Sequence, residues 1–462
     1  MAKAQTVFVC TQCGASSARW EGKCRECGQW NTLVEEKITK AASNKPSAAV
    51  ASSNRNNVAQ PLHKSVGDIQ HSARLTSGFP EIDRVLGGGF VPGSILLFGG
   101  EPGIGKSTLL LQIIGKVSAA GGKCLYASGE ESAAQVASRA SRLGVKETDD
   151  LNFLATASVE DAVQAVNDIR PHLLVVDSVQ TLSTSTIESS AGTVSQVREL
   201  TQTFLNISKG SGVITLLVGH VTKEGQIAGP RLLEHMVDGV FYFELAANGG
   251  YRLVRGQKNR FGPTHELAVL EMSSQGLLEV QNPSARFLEE RSVGMAGSAV
   301  VAHLEGSRPF LTEVQALTQK CYAGYPRRTV QGVDQNRISV LLAIIEKRLG
   351  ISVSDQDVYC KVASGARIEE PAADLPMLFA LVSAVSGRPL PPDMILIGEV
   401  GLGGEIRSVP GIAARLNEAK AVGLTRAIIP HASAKDAKEA KGVKVITVKN
   451  VQDVLEILNT SF

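Results

Sequence analysis

No apolar stretch in this sequence is long enough to cross a bilayer; runs such as residues 377–385 fall far short of the ~20 residues a helical span requires. The chain opens without the charged, apolar and small-residue succession of a secretory signal, so a cytoplasmic protein with no membrane association is expected. Charge of either sign is not in excess: 47 basic residues face 45 acidic ones, for a net charge of +2. Bulk electrostatics therefore gives no argument for a nucleic-acid partner, which would need a local basic surface. Cysteine is scarce and odd in number, seven in all. Four lie near the N-terminus, whereas Cys124, Cys321 and Cys360 are scattered through apolar or strand-like contexts. That distribution suits a reducing compartment with one metal site better than a disulfide framework, and the scattered thiols read as small core residues. What the chain does have is length and apolar content: 462 residues, 43% hydrophobic and 20% charged, too many for one core and suited to two to four globular domains.

Residues 95–108 are the most informative. The apolar Ile95, Leu96, Leu97 and Phe98 open into Gly99, Gly100, Glu101, Pro102, Gly103, Ile104, Gly105, Lys106, Ser107 and Thr108, filling every fixed position of G-x-x-x-x-G-K-[ST]. Glycines let such a loop turn its N–H groups onto phosphates, Lys106 meets the β/γ-phosphates, and the Ser107 hydroxyl joins a Mg²⁺ shell. Residues 109–117 continue as apolar, helix-compatible sequence, so the phosphates would lie at a helix N-terminus, where the dipole favours an anion. Strand before and helix after set the motif apart from a chance glycine-rich turn. Binding and hydrolysis of a nucleoside triphosphate are expected.

Apolar runs at 95–98, 124–128, 173–177 and 213–219 alternate with helical patterns, which predicts an α/β domain with a doubly wound, mostly parallel sheet over residues 66–280. Later runs adjoin one another (239–245, 251–257, 265–272), predicting an antiparallel extension. Leu173, Leu174, Val175 and Val176 end in Asp177, a carboxylate suited to hold Mg²⁺ through water. Glu130 and Glu131 follow the 125–128 run at the sheet's carboxyl edge, where a water-activating group belongs. A solvated helix start is the alternative for the pair, and the sequence does not say which of the two would act.

Residues 1–33 hold Cys10-x2-Cys13 and Cys24-x2-Cys27, spaced for four thiolates to converge on one structural Zn²⁺, in a unit too small to fold on its own core. Arg19, Lys23 and Arg25 give it a basic edge. Trp20 and Trp30 either cover the zinc site or, for Trp20, stack on a base. Residues 34–65, rich in Ala, Ser, Asn and Lys, read as a flexible linker. The remaining segment, 281–462, reads as an α+β domain with strands near 298–304 and 310–317 and helices near 334–349, 374–386, 412–421 and 451–458.

Residues 75–89 resemble the approach to the phosphate loop in RecA-type ATPase cores, a segment shared with KaiC-like signalling ATPases. Gly129-Glu130-Glu131-Ser132, Lys258-Asn259-Arg260-Phe261-Gly262 and the four-cysteine unit followed by Trp30-Asn31-Thr32 are similar to the RadA (Sms) family of bacterial DNA-repair proteins. The resemblance covers the chain except the linker. It implies a DNA-dependent ATPase using ATP and Mg²⁺, with Zn²⁺ in the N-terminal unit. Such a protein moves along single-stranded DNA and drives branch migration of recombination intermediates beside the RecA recombinase, as a homo-hexameric ring with ATP sites between subunits. Branched DNA is then also a partner. The resemblance makes Glu130 the water-activating residue and His220 the γ-phosphate sensor; read alone, His220 would be a satisfied core histidine. Lys258 and Arg260 alternate on a strand-like segment closed by Gly262 and Pro263, so both cations are expected on one exposed face, able to reach a neighbour's γ-phosphate. Contact within the subunit is the alternative for Lys258. Residues 222–231, with Lys223 and Arg231, form either a DNA-contacting loop or a plain solvated one.

From about residue 295 the chain resembles the proteolytic domain of Lon, most clearly at 382–389, 397–404 and 427–430. Setting Glu370-Pro371-Ala372-Ala373-Asp374 on that family's Gly-Pro-Ser-Ala-Gly puts Ala372 at the nucleophile, and Pro410-Gly411-Ile412-Ala413 on Gly-Gly-Ile-Lys puts Ala413 at the lysine. A methyl group neither attacks a carbonyl nor carries a proton, so an ATP-dependent protease is the disfavoured reading. Lys320, Arg327, Arg328, Arg337, Lys347 and Arg348 form a basic stretch on which duplex DNA would lie through its phosphates.

Overall fold

A computed structural model of the chain describes residues 5–10, 15–26, 28–38, 73–220, 232–246, 250–264, 266–289, 291, 293–322, 324–363 and 367–460. They fall into two compact units, one of residues up to Leu245 with Tyr251–Glu279, the other of Ala246–Gly250 with everything from Val280 onward. Cys13, Cys27, most of the expected linker and the 222–231 segment lie outside the described residues.

In the first unit, β1 (Gln5–Cys10) pairs antiparallel with β2 (Ser16–Ser17) and β3 (Leu33–Ile38). Cys10 and Cys24 are buried against Leu33 in one small cluster. Trp20 and Trp30 are 57% and 69% exposed and flank Gly22, with the Lys23 ammonium 5.7 Å from the Trp30 ring.

A nine-stranded sheet follows, of β4 (Ile95–Gly100), β5 (Cys124–Ser128), β6 (Leu151–Ala155), β7 (Leu173–Asp177), β8 (Ile214–His220), β9 (Gly239–Leu245), β10 (Tyr251–Asn259), β11 (Leu267–Ser273) and β12 (Gly276–Glu279), in the order β12-β11-β10-β9-β4-β8-β7-β5-β6. The six strands from β9 to β6 are parallel, and β10, β11 and β12 extend the sheet antiparallel from β9. The α-helices are α1 (Pro80–Leu86), α2 (Lys106–Ala119), α3 (Ala133–Arg142), α4 (Val159–Ile169), α5 (Val194–Ser211) and α6 (Leu232–Met236). Side chains alternate along each central strand. Leu96, Phe98, Val175 and Leu216 join one core with α1 and α2, while Ile95, Leu97, Val176 and Leu217 join another with α4 and α5. Burial on both faces is why these strands read as continuous apolar runs. The sequence did not disclose β6, whose half-buried Leu-Asn-Phe-Leu-Ala at the sheet edge lacks such a run.

In the second unit, β13 (Ser298–Glu305), β14 (Arg308–Lys320), β15 (Arg328–Gln331) and β16 (Gln356–Val362) form a sheet in the order β13-β14-β16-β15. A second, parallel sheet joins β17 (Met394–Leu396), β20 (Arg426–Pro430) and β21 (Lys444–Val448), and β18 (Glu399–Val400) pairs with β19 (Ile406–Arg407). Its α-helices are α7 (Pro283–Leu288), α8 (Gln335–Ile344), α9 (Asp374–Ser386), α10 (Ile412–Ala421) and α11 (Val451–Thr460). The helix expected over 334–349 is α8 followed by a π-helical turn at Ile345–Leu349, with Asp334 as its cap. Cys124 and Cys360 are core residues as expected, burial pushing their thiols up to about 12 and about 11, but Cys321 is only half-buried.

One local device fixes the edge of the nucleotide-binding sheet. Glu160, in the first turn of α4, accepts hydrogen bonds from the Thr184 hydroxyl at 2.7 Å and from the N–H and hydroxyl of Ser185 at 2.9 and 3.0 Å. Partial burial works against the carboxylate, yet these donors hold Glu160 down at about 2. A depressed carboxyl stabilises the fold above its unfolded value near 4.5 and loses that contribution as pH falls towards 2. Glu160→Gln should therefore unfold at a lower temperature than wild type at pH 7, and the two melting curves should converge as pH is lowered through that window.

Candidate nucleotide-binding site

Parallel register brings the chemistry to one edge. Gly100 at the end of β4 pairs with His220 at the end of β8, and Ser128 at the end of β5 pairs with Asp177 at the end of β7. Beyond Gly100 the loop exposes Glu101, Pro102 and Gly103 and enters α2 through Gly105. Gly103 and Gly105 take φ of 75° and 114°, a region costly for other residues. No side chain caps α2, and its first turn has no acidic residue, so its leading N–H groups and dipole are left for an anion. Ser107 and Thr108 are half-buried at that helix start. Lys106 is 4% exposed, and its Nζ donates to the carbonyls of Gly100 at 2.7 Å and Glu101 at 2.9 Å. Burial lowers its pKa, while Asp177 and Glu130 act to hold the charge. An uncapped helix start, a buried ammonium and a buried carboxylate together fit a nucleotide phosphate with its Mg²⁺. Lys106 and Ser107 would meet the phosphates, and Ser107 and Asp177 the metal.

The acidic side is equally ordered. Asp177 is buried and accepts the Tyr126 hydroxyl at 2.5 Å. Glu130 Oε1 accepts the Ser178 hydroxyl at 2.6 Å and lies 3.2 Å from His220 Nε2, while His220 Nδ1 lies 3.4 Å from Lys106 Nζ. Lys106, His220, Glu130 and Ser178 thus form one chain of polar contacts across the crevice. Glu131 is ion-paired with Arg139 of α3. His220 is half-exposed and engaged here, not a core histidine. Sequence reasoning missed Tyr126 and Ser178; adjacency to Asp177 was the signal available for Ser178.

Each residue of 258–262 has an anchor. Lys258 Nζ donates to the carbonyls of Glu234 at 2.6 Å and Val237 at 2.8 Å, closing the end of α6. Asn259 Nδ2 donates to Val85 and Leu86 at the end of α1, at 3.3 and 3.2 Å. Arg260 pairs with Asp238 at 3.2 Å, and the Phe261 carbonyl accepts from Arg74 at 2.8 Å. A Cβ on Gly262 would come within 2.7 Å of the Gly87 Cα, so only glycine fits there. A register shift between Gly256 and Lys258 precedes the pair. Arg260 stands exposed and, after burial, is near enough to Lys258 to depress its pKa, while the Lys258 ammonium is not free but committed to carbonyls. The Asp238 N–H donates to the Ile95 carbonyl at the start of β4, and the Ile95 N–H donates to the Asp238 carboxylate. That start lies five residues before Gly100, about 16 Å along the strand, beyond the reach of either cation to its own phosphate loop.

In the second unit, Ala372 is 1% exposed in a short turn before α9, and Ala413 lies in the first turn of α10. The two carboxylates flanking Ala372 are both answered. Glu370 is gripped by both terminal nitrogens of Arg415, which is fully buried, at 2.6 and 2.8 Å; Asp374 is met by Arg337 at 2.5 Å. Of the expected basic stretch, Arg337 is thereby used internally, and Arg328 donates to the carbonyls of Gln356 and Val353. Lys320, Arg327, Lys347 and Arg348 are exposed. In the N-terminal unit, the shared burial of Cys10 and Cys24 fits two of four thiolate ligands.

Comparisons with known proteins find three family models and whole-length relatives. Residues 66–226 match the AAA domain family, residues 340–461 the Lon protease (S16) C-terminal proteolytic domain, and residues 8–35 the rubredoxin metal binding domain. The chain is 47% identical over 440 residues to the DNA repair protein RadA of Brucella abortus, covering 94% of each. It is 47% identical over 433 residues to that of Bacillus subtilis and 46% over 436 residues to that of Pseudomonas aeruginosa, again covering 94% of each. A KaiC-like protein of Pyrococcus horikoshii aligns at 21% identity and a TM-score of 0.39, over 45% of this chain and 99% of its own, too loosely to bear on function.

Two outcomes test the geometry. Ser178→Ala removes a hydrogen bond to the Glu130 carboxylate and should lower kcat for ATP hydrolysis about 10- to 100-fold, the equivalent of ~1.5–3 kcal/mol, with KM little changed. Reinstalling the dyad as Ala372→Ser with Ala413→Lys should yield no cleavage of fluorescent casein, with or without ATP, because position 372 is buried between two ion pairs; measurable proteolysis would refute that reading.

Proposed function

The chain belongs to the family of the DNA repair protein RadA, and from that premise we propose that it is a DNA-dependent ATPase of recombinational repair. It works as a homo-hexameric ring on single-stranded DNA and promotes branch migration of intermediates made by the RecA recombinase. In each subunit Lys106 binds the β/γ-phosphates, and Ser107 and Asp177 hold Mg²⁺, which neutralises charge on the transferring group. Glu130, oriented by Ser178, takes the proton of the attacking water, and His220 senses the γ-phosphate from between Lys106 and Glu130. Four cysteines, Cys10, Cys13, Cys24 and Cys27, hold a structural Zn²⁺. The protein acts in the cytoplasm.

The observation that carries the ring is the position of Arg260. Its side chain is 58% exposed and anchored at the start of β4, whereas its own phosphate loop follows the end of that strand. A guanidinium there serves hydrolysis only from one subunit to the next, where it stabilises charge on the neighbour's γ-phosphate. Lys258 then supports Arg260 from behind by closing α6.

Turnover should rise on addition of single-stranded DNA, and the protein with ATP should extend branch migration on a three-strand intermediate formed by the recombinase. Turnover indifferent to DNA would sink the motor reading. Arg260→Ala should slow stimulated hydrolysis about 1,000-fold, to a residual rate that single-turnover assays still read, while leaving affinity for a fluorescent ATP analogue within about twofold of wild type; a matching loss of affinity would assign Arg260 to binding instead.

A further inference from the structure

Asp238 is the residue on which the 258–262 segment closes. Its carboxylate is only 3% exposed, yet it meets donors from three elements, two of them charged. One oxygen, Oδ2, accepts Lys209 Nζ of α5 at 2.7 Å and the backbone N–H of Ile95 in β4 at 3.2 Å. The other, Oδ1, accepts an Arg260 terminal nitrogen at 3.2 Å. The main chain repeats the link, since the Arg260 N–H donates to the Asp238 carbonyl at 3.0 Å. Lys258 completes the circuit by holding the carbonyls of Glu234, His235 and Val237, the residues leading into Asp238. Lys209 also lies 5.9 Å from the ring of Phe261, the residue after Arg260.

We infer that Asp238 is a positioning residue for intersubunit hydrolysis, holding the Arg260 guanidinium where it meets the neighbour's γ-phosphate. The inference rests on the reading of Arg260 as acting between subunits. Division of labour within the carboxylate supports it. Oδ2, with Lys209 and Ile95, ties Asp238 to the sheet and α5, while Oδ1 faces the arginine. A long, exposed side chain loses orientation unless something fixes it near its charged end, and a carboxylate rooted in the sheet does so without closing off the rest of the guanidinium, which has five N–H donors. Both ends of the link are therefore rigid where rigidity matters: β4 carries the subunit's own phosphate loop, and the same strand's start fixes the group sent to its neighbour.

The test uses the full chain and three variants, Asp238→Asn, Asp238→Glu and Arg260→Ala. Asp238→Glu keeps the charge and displaces it by one methylene, so it reports on position even if Asp238→Asn fails to fold. Each aspartate variant should retain affinity for a fluorescent ATP analogue and lose about 10- to 100-fold in DNA-stimulated kcat. Combined with Arg260→Ala, neither should slow hydrolysis further, because both act through one group. Multiplicative losses in the double variant would overturn the inference and make Asp238 a general structural residue. Subunit mixing separates this from the parent reading. Arg260→Ala subunits should regain hydrolysis when mixed with Lys106→Ala subunits, which bring an intact arginine but no active site of their own. If they do not, the intersubunit reading falls and the inference with it. If they do, Asp238→Glu subunits should be rescued to the same degree, and failure of that rescue alone would overturn the role of Asp238.

Discussion

The hydrogen-bonded register of β4, β8, β7 and β5 is the constraint on which the rest of the molecule depends. It sets Gly100 beside His220 and Ser128 beside Asp177, so that residues far apart in sequence meet at one edge. A slip of one residue would send His220 towards a core face and lift the next apolar side chain into the crevice. Apolar packing on both faces of the sheet forbids that slip. The polar chain from Lys106 through His220 and Glu130 to Ser178 is therefore assembled by hydrophobic burial, and its hydrogen bonds refine positions that the sheet has already chosen.

The same strand divides the labour of the site. At its end, β4 delivers Gly100 and the phosphate loop; at its start, Ile95 receives Asp238 and, through it, Arg260. The segment 258–262 has little core of its own and is held instead by polar anchors on α6, α1 and Asp238. This economy explains a glycine at 262, where even a methyl group would collide with Gly87. Polar anchoring suits a segment that must keep a charged group in solvent, because burying it in an apolar core would cost the charge its hydration.

The sequence disclosed those parts of the site whose chemistry is local. The phosphate loop is contiguous, its strand and helix follow directly, and Asp177 closes an unbroken apolar run. Glu130 and Glu131 could not be told apart, because both follow the same strand; Arg139, eight residues beyond Glu131, pairs with that glutamate. Tyr126, Ser178 and Asp238 stayed hidden since their partners come from other strands. For Lys258 the sequence showed the charge but not its partners: carbonyls at the end of α6, distant in sequence, claim the ammonium. The tryptophans of the N-terminal unit were legible as a pair, yet their exposure beside Gly22 depends on how the small sheet folds.

In the second unit, the alignment on the Lon pattern expected from the sequence sets Glu370 and Asp374 at two glycines and Ala372 at the serine. Two carboxylates so close together would repel each other and resist burial. Arg415 and Arg337 answer them one each, and Arg415, fully buried, bonds Glu370 through two nitrogens. Removing Glu370 would strand the buried Arg415 charge at a cost of about 3–5 kcal/mol, although the intact pair adds little net stability over an apolar substitute. What the pair supplies is geometry, since its bidentate fork admits one arrangement of the turn. Position 372, where the Lon resemblance sets the nucleophile, is thus enclosed between two ion-paired carboxylates.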